Sequence, residues 1–227
     1  MYRRLLFTLF RTRLGKIGIA FLAVPAIQLI FASFLPANAT ESTLSAADNT
    51  LILTSSALVL LMTPGLAFFY GGFTQAKNVL NTMAMCFVMM GIATLVWSII
   101  GFSLAFSDGG SSNAFIGNPL TYAFLENLPS SWEGLKIPGL SFALFQGMFA
   151  IITPALISGA LVERISFRFW CFFTPIWILF VYAPLAHMVW GGGLLGKDLD
   201  FAGGTVVHIS SGVSALVLSG LIGSRGN

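Results

Sequence analysis

His208 is a polar side chain inside a long uncharged stretch, residues 201–224. Polar groups are costly inside a membrane, so a histidine there is a candidate for a proton or solute path. On an α-helix it shares a face with small residues, which let a neighbouring helix approach closely. Those residues are Ser211, Gly212, Ala215 and Ser219. His208 is therefore expected to point into a helix bundle, where it either lines such a path or bonds to a partner helix.

Aromatic side chains supply a second kind of chemistry, because an aromatic face attracts a small cation by roughly 0.5–2 kcal/mol. Phe145 and Phe149 are four residues apart, which places them on one face of a helix. Trp190 stands before three glycines near the end of another uncharged stretch. Trp190 is predicted to be either an anchor at the membrane interface or part of a cation-binding wall.

Asp200 directly precedes the stretch that contains His208. An acidic side chain at this point caps the first backbone N–H groups of a helix and interacts favourably with the helix dipole. The same carboxylate can also attract cations to a vestibule. Both roles are compatible with the sequence.

Motifs of enzymatic chemistry are absent from the sequence. It contains no HExxH, no CxxC, and neither of the glycine-rich nucleotide loops GxxxxGK[ST] and GxGxxG. Glu163 and Arg164 are adjacent, and we interpret them as a solvated helix cap rather than a catalytic pair. We expect no enzymatic activity, no cofactor and no bound metal.

The small number of charged residues indicates the class of protein that contains these candidate residues. Of 227 residues, 56% are hydrophobic and only 8% are charged, whereas soluble domains average about 25% charged residues. This composition argues against a soluble enzyme. Five basic residues lie within the first sixteen positions, and the remainder is slightly acidic, so nucleic acid is not an expected partner.

Five uncharged stretches, including the one that contains His208, are long enough to cross a bilayer, which takes about 20 apolar residues. They are residues 49–76, 78–107, 137–162, 169–196 and 201–224. Because backbone groups inside lipid must be paired within their own segment, these stretches are predicted to be helices. The fold class is therefore an all-α polytopic membrane protein with five transmembrane helices, and Cys86 and Cys171 are expected to pack as small apolar residues.

The first 39 residues are predicted to be a signal peptide. A basic segment precedes an apolar segment that ends at Pro36, and Ala37-Asn38-Ala39 fits a cleavage site. The alternative is an uncleaved signal anchor. The remaining residues, 40–227, form the predicted membrane domain.

Basic residues flanking the helices predict the orientation, because they are enriched on the cytoplasmic side. One set of alternate links carries Lys77, Arg164, Arg168 and Arg225, while the other carries Lys136 and Lys197. The mature N-terminus is thus expected outside a cell membrane and the end of this chain inside. Residues 108–136 become an extracellular loop, with a short helix expected at 122–127.

Several motifs, in order along these stretches, resemble the ammonium transporter (ammonia channel) family. They are FFYGGF at 68–73 with KNVL at 77–80, FQGMFA at 145–150, GALVER at 159–164, AHMVWGGG at 186–193 and DFAGGTVVH at 200–208. The resemblance covers residues 48–223. It implies transport of ammonium or ammonia across the membrane.

The resemblance also implies roles for the candidate residues. Phe145 and Trp190 resemble an outer aromatic site for the cation, and Phe149 resembles the outer member of a phenyl gate. Asp200 resembles an acid that supports this site. Beyond the gate, His208 resembles the first of two pore histidines, while Tyr70 resembles a tyrosine near the inner pore. Ammonium would lose a proton near the gate and cross as ammonia.

Family members resemble two inverted repeats of five helices, with the pore between the two halves. This chain ends just after the fifth helix, so we expect that it does not conduct by itself. The resemblance further implies a homotrimer in contact with membrane lipids, and a cytoplasmic regulator of the PII type. There are two alternative functions. One is an ammonium sensor, and the other is a non-conducting fragment that associates with full-length family members.

Overall fold

Five long apolar helices make up the part of the chain that the computed structural model describes, residues 44–196 and 200–225. Each is long enough to cross a membrane, which confirms the five predicted segments. The helices are α1 (Ala46–Gly71), α2 (Ala76–Phe106), α3 (Gly139–Ser158), α4 (Phe167–Trp190) and α5 (Phe201–Ile222). The predicted signal peptide lies outside the described residues.

Serine side chains mark the start of two helices. The Ser45 hydroxyl accepts a hydrogen bond from Asp48 N (3.2 Å), and Ser166 accepts one from Phe169 N (3.2 Å). Such caps satisfy backbone N–H groups that have no partner within the helix.

Three of the helices contain a π-helical segment, in which backbone hydrogen bonds run from residue i to i+5. The segments are Trp97–Gly101 in α2, Ile178–Tyr182 in α4 and Gly204–Ile209 in α5. The rings of Trp97 and Tyr182 meet with centroids 5.9 Å apart, so the segments of α2 and α4 touch. The third segment contains His208.

The helix α3 lies at the centre of the described bundle and packs against α1, α2 and α5. Most of its side chains are buried, whereas few of those of α1 and α5 are. Cys86 is buried with its Sγ 3.3 Å from Ser158 Oγ, and Cys171 is half-buried. Both are free thiols, as expected from the sequence.

Two sets of hydrogen bonds hold the two ends of the bundle. At one end, called here the pocket end, Ser45 N donates to Lys136 O (2.8 Å) and Leu194 N donates to Ala114 O (2.8 Å). The loop at this end contains a single turn at Ala123–Leu125, within the predicted range 122–127, and Phe124 (φ 56°) and Leu125 (φ 60°) in this turn are left-handed. At the other end, called the Glu163 end, Gln75 N donates to Glu163 Oε1 (2.9 Å).

Candidate functional site

A pocket of ≈ 420 Å³ opens between α3, the end of α4 and the start of α5. Side chains from three separate parts of the sequence line it. They are Phe145, Gln146, Phe149, Trp190, Asp200, Ala202 and Gly203. The structure therefore brings together four of the six candidate residues chosen from the sequence, leaving out His208 and Tyr70.

The aromatic walls of the pocket are arranged edge to face. The rings of Phe145 and Phe149 have centroids 5.1 Å apart and planes at 88°, and those of Phe149 and Trp190 are 6.2 Å apart at 67°. All three side chains are half-buried. This arrangement offers aromatic surface to a small cation in a partly dehydrated space, where cation–π attraction is stronger than in water.

Asp200 caps the start of α5. Its carboxylate accepts hydrogen bonds from Thr205 N (2.6 Å) and Val206 N (3.4 Å). The capping role, one of the two roles that the sequence left open, is therefore present. An ionised carboxylate has about four acceptor positions, so two backbone amides leave it with further acceptor capacity beside the pocket.

The pocket wall next to Asp200 turns through two residues in the left-handed region, Ala202 (φ 56°) and Gly203 (φ 71°). A Cβ at Gly203 would lie 2.9 Å from Val207 Cγ2, closer than carbon atoms approach in proteins. Glycine is needed here both for the backbone angle and for the space. This turn brings the chain from the pocket into the segment that contains His208.

His208 faces away from the other described helices, so its expected place inside a bundle stays a prediction. Its side chain is exposed, whereas its neighbours Val206, Val207, Ser210 and Ser211 are buried. Of the small residues expected on its face, Gly212 is exposed like His208, whereas Ser211 is buried.

One ring nitrogen of His208 is held by its own helix. Nδ1 lies 3.1 Å from Gly203 O, and a carbonyl oxygen can only accept, so Nδ1 is the donor. In the neutral ring this tautomer leaves Nε2 as an acceptor. Gly203 thus contributes to the pocket and also orients His208.

Tyr70 lies at the Glu163 end, away from the pocket. Its hydroxyl donates to Leu156 O (3.0 Å), which ties the end of α1 to the end of α3. Its ring packs on Gly159, where a Cβ would lie 2.4 Å from Tyr70 Cζ. In the described residues Tyr70 therefore acts as a tie between two helices.

His187 is a residue whose role the sequence did not indicate. It is completely buried near the end of α4. Nδ1 lies 3.1 Å from Ala105 O at the end of α2, and Nε2 lies 2.8 Å from Asn113 O in the following loop. His187 thereby joins α4 to the end of α2. It precedes Trp190 by three residues, so this contact also holds the end of α4 that lines the pocket.

Glu163 and Arg164 hold the opposite end together and form no catalytic arrangement. The hydrogen bond from Gln75 N, with a second from Asn78, lowers the pKa of Glu163 below its ordinary value. Arg164 donates to the carbonyls of Ala160 and Gly223. Within the described ranges, no group of three or more His, Cys, Asp or Glu side chains could hold a metal ion.

Fold and pocket together define a polytopic α-helical membrane protein with an aromatic-lined site at one end of its bundle. The Ammonium Transporter Family matches residues 50–227. The chain belongs to the ammonium transporter family, whose members are transporters rather than enzymes.

Known relatives extend well beyond this chain. It is 45% identical over 215 residues to an ammonium transporter of Aquifex aeolicus, covering 93% of this chain and 48% of the relative. The crystal structure of Saccharomyces cerevisiae Mep2 is 32% identical with a TM-score of 0.75, covering 84% of this chain and 42% of Mep2. A structure described as a sensor Amt protein is 28% identical with a TM-score of 0.71, covering 78% and 44%. The chain spans about half the length of the curated relatives it matches.

Proposed function

We propose that this chain forms one five-helix half of an ammonium transport protein and that its pocket recruits ammonium. The observation that carries the proposal is the meeting of Phe145, Phe149 and Trp190 with Asp200 in one pocket of ≈ 420 Å³. Aromatic faces attract a small cation, and a nearby carboxylate adds to the attraction. The proposal is also supported by membership of the family.

Each candidate residue has a role in the proposed mechanism. Ammonium binds between Phe145 and Trp190, and Phe149 separates this position from the path across the membrane. Near Phe149 the ion passes a proton to water on the pocket side, because an apolar path admits neutral ammonia more readily than a charged ion. Ammonia then passes His208, whose Nε2 can accept a hydrogen bond. Tyr70 lies toward the other end of the path.

The proposed pore runs along the exposed face of α5. Apolar side chains on this face are exposed, as His208 is, among them Ile209 (58%), Val213 (54%) and Leu216 (72%). Relatives about twice as long as this chain support the presence of a second half in the complete protein. We propose that the second half covers this face and that the chain without it does not conduct.

Assembly and orientation belong to the same proposal. The complete protein would be a homotrimer with one pore per subunit, with the pocket end outside the cell and the Glu163 end in the cytoplasm. A PII-type regulator would then approach the Glu163 end. Protease cleavage of the loop at residues 107–138 in intact cells tests the orientation.

Replacing Trp190 with Leu tests the pocket, in the full open reading frame that contains this chain. Loss of the strongest aromatic face is expected to raise the half-saturation concentration for ammonium uptake roughly 2- to 30-fold. Phe180→Leu is the matched control, because Phe180 is an exposed aromatic on the same helix, outside the pocket. Unchanged uptake by Trp190→Leu at normal abundance would contradict the proposal.

Ammonium sensing is a second candidate, favoured by the structural likeness to a sensor Amt protein. A sensor would bind ammonium without sustained uptake. Measuring both binding and uptake in membranes that contain the full protein distinguishes the two candidates.

The remaining alternative, a non-conducting fragment that associates with full-length relatives, has its own test. Purified chain in liposomes is expected to give no ammonium flux. Co-purification with a full-length relative, together with reduced uptake by that relative, would favour the fragment role.

A further inference from the structure

Gln146 is a polar side chain in an otherwise aromatic part of the pocket. It lies next to Phe145 and three residues before Phe149 on α3, and it lines the same pocket. Its Oε1 is buried and has no hydrogen-bond partner. Buried oxygens without a partner are rare, because burial removes the hydrogen bond that water would supply. An unpartnered acceptor beside a pocket therefore indicates a ligand that donates.

The other side-chain oxygens among the described pocket residues are those of Asp200, and each of them already has one partner. Both oxygens of Asp200 accept backbone N–H groups, from Thr205 and Val206. Gln146 is different, since its carbonyl oxygen remains unused. The last torsion of a glutamine side chain is broad, so the amide can turn this oxygen toward a donor that enters the pocket.

We propose that the side-chain oxygen of Gln146 accepts a hydrogen bond from ammonium in the pocket and thereby favours ammonium over alkali-metal cations. The inference rests on the proposed function. Ammonium carries only N–H donors, so one directed bond to an amide oxygen complements the attraction of the aromatic faces.

Discrimination follows from the small number of oxygens. An alkali-metal ion leaves water readily only where several oxygens replace its hydration shell, as rings of carbonyls do in potassium channels. The lining that the described residues supply, three aromatic side chains, one free amide oxygen and a partly engaged carboxylate, does not provide such a shell. Ammonium needs fewer oxygens, because each N–H makes its own directed hydrogen bond.

The test compares Gln146→Met and Gln146→Glu in the full open reading frame. Methionine keeps the length of the side chain without the oxygen, and glutamate keeps an oxygen acceptor. Asn81→Leu is the matched control, because it removes another half-buried amide from a spanning helix outside the pocket. The measurements are the half-saturation concentration for ammonium uptake, its inhibition by K⁺, and membrane abundance.

Gln146→Met is expected to raise the half-saturation concentration roughly tenfold, equivalent to about 1.4 kcal/mol. The maximum rate and the abundance should be retained, and K⁺ should compete more effectively relative to ammonium. Gln146→Glu should keep a half-saturation concentration at or below that of the unaltered protein. A purely structural role would change abundance and maximum rate. It would not change the ratio of the half-saturation concentration for ammonium to the inhibition constant for K⁺.

An unchanged ratio in Gln146→Met, or an equal change in Asn81→Leu, would overturn the inference. If the Met variant does not reach the membrane, a raised half-saturation concentration in Gln146→Glu would overturn it instead. Absence of both variants from the membrane would assign Gln146 to folding. Retained uptake that depends on Trp190 but not on Gln146 would contradict this inference alone. No uptake by the unaltered protein would contradict the proposed function as well.

Discussion

The end of α4 and the start of α5 each carry a histidine, and they place it in opposite surroundings. His187 in α4 has no exposed surface, and both ring nitrogens face carbonyl oxygens of other segments. His208 in α5 is exposed, and the one hydrogen bond found for it lies within its own helix. The same side chain therefore supports the fold in one region and presents a free nitrogen in the other.

This difference distinguishes a histidine that supports the fold, His187, from one that is available for chemistry, His208. A histidine inside a membrane is costly, and it is retained either because its hydrogen bonds hold segments together or because it meets a solute. The ring of His187 lies between carbonyls of α2 and of its following loop and donates to one of them, which explains its place in the fold. No contact to another segment is found for His208, whose free Nε2 on an apolar helix is available to a partner or a solute.

The strongest test of this comparison is the pair His187→Leu and His208→Leu. Leucine at 187 removes the one N–H that the neutral ring can donate to the carbonyl of Ala105 or of Asn113, which costs about 1–3 kcal/mol. Leucine at the exposed position 208 should change stability by no more than about 0.5 kcal/mol. Thermal unfolding in detergent measures both effects, and equal unfolding temperatures would refute the distinction.

The converse measurement is ammonium uptake by His208→Leu in the full open reading frame. Loss of one hydrogen-bonding group along the path is expected to reduce uptake roughly threefold to tenfold at unchanged abundance. Ile209→Leu is the control, because Ile209 is the next exposed residue on the same helix. Equal uptake by His208→Leu and the control would remove His208 from the proposed path.

Arg164 extends the comparison to the Glu163 end, where a polar side chain again serves support. Its guanidinium donates to the Ala160 carbonyl just after α3 and to the Gly223 carbonyl just after α5, which a lysine cannot reproduce with one ammonium group. Arg164→Lys is expected to lower stability by about 1 kcal/mol. The exposed Arg168→Lys serves as the control in the same unfolding experiment. A larger loss of stability in Arg168→Lys than in Arg164→Lys would show that the hydrogen bonds of Arg164 do not stabilise this end.

The smallest expected effect is the pH dependence contributed by Glu163. Its pKa is lowered mainly by the hydrogen bond from Gln75 N, so the charged form is favoured in the folded chain. Its contribution is therefore complete above the ordinary glutamate pKa of about 4.3 and is lost as the pH falls through the lowered value. Unfolding temperatures of the unaltered chain and Glu163→Gln should converge at low pH. A constant difference between them down to pH 3 would contradict this sign.

Much of the fold could be predicted because hydropathy and length report membrane crossing directly. All five helices occur where uncharged stretches were found. Hydropathy does not distinguish lipid from a neighbouring helix, since both are apolar. The helices α3 and α5 are similarly apolar, yet most of α3 is buried at the centre and little of α5 is.

The candidate site was predictable in its residue types and less so in its geometry. Motifs identified Phe145, Phe149, Trp190 and Asp200, which meet in one pocket. They did not reveal that Gln146 adds an unpartnered oxygen, because hydrogen-bond satisfaction depends on neighbours distant in sequence.

By itself, the sequence determined that this is a membrane protein with five spanning helices and the family to which it belongs. Composition, segment length and local motifs are properties of contiguous residues, so they can be read without a fold. Only the tertiary structure decided that His187 is a tie and that His208 is exposed. Both outcomes depend on contacts between segments that lie far apart in the sequence, which no local pattern reports.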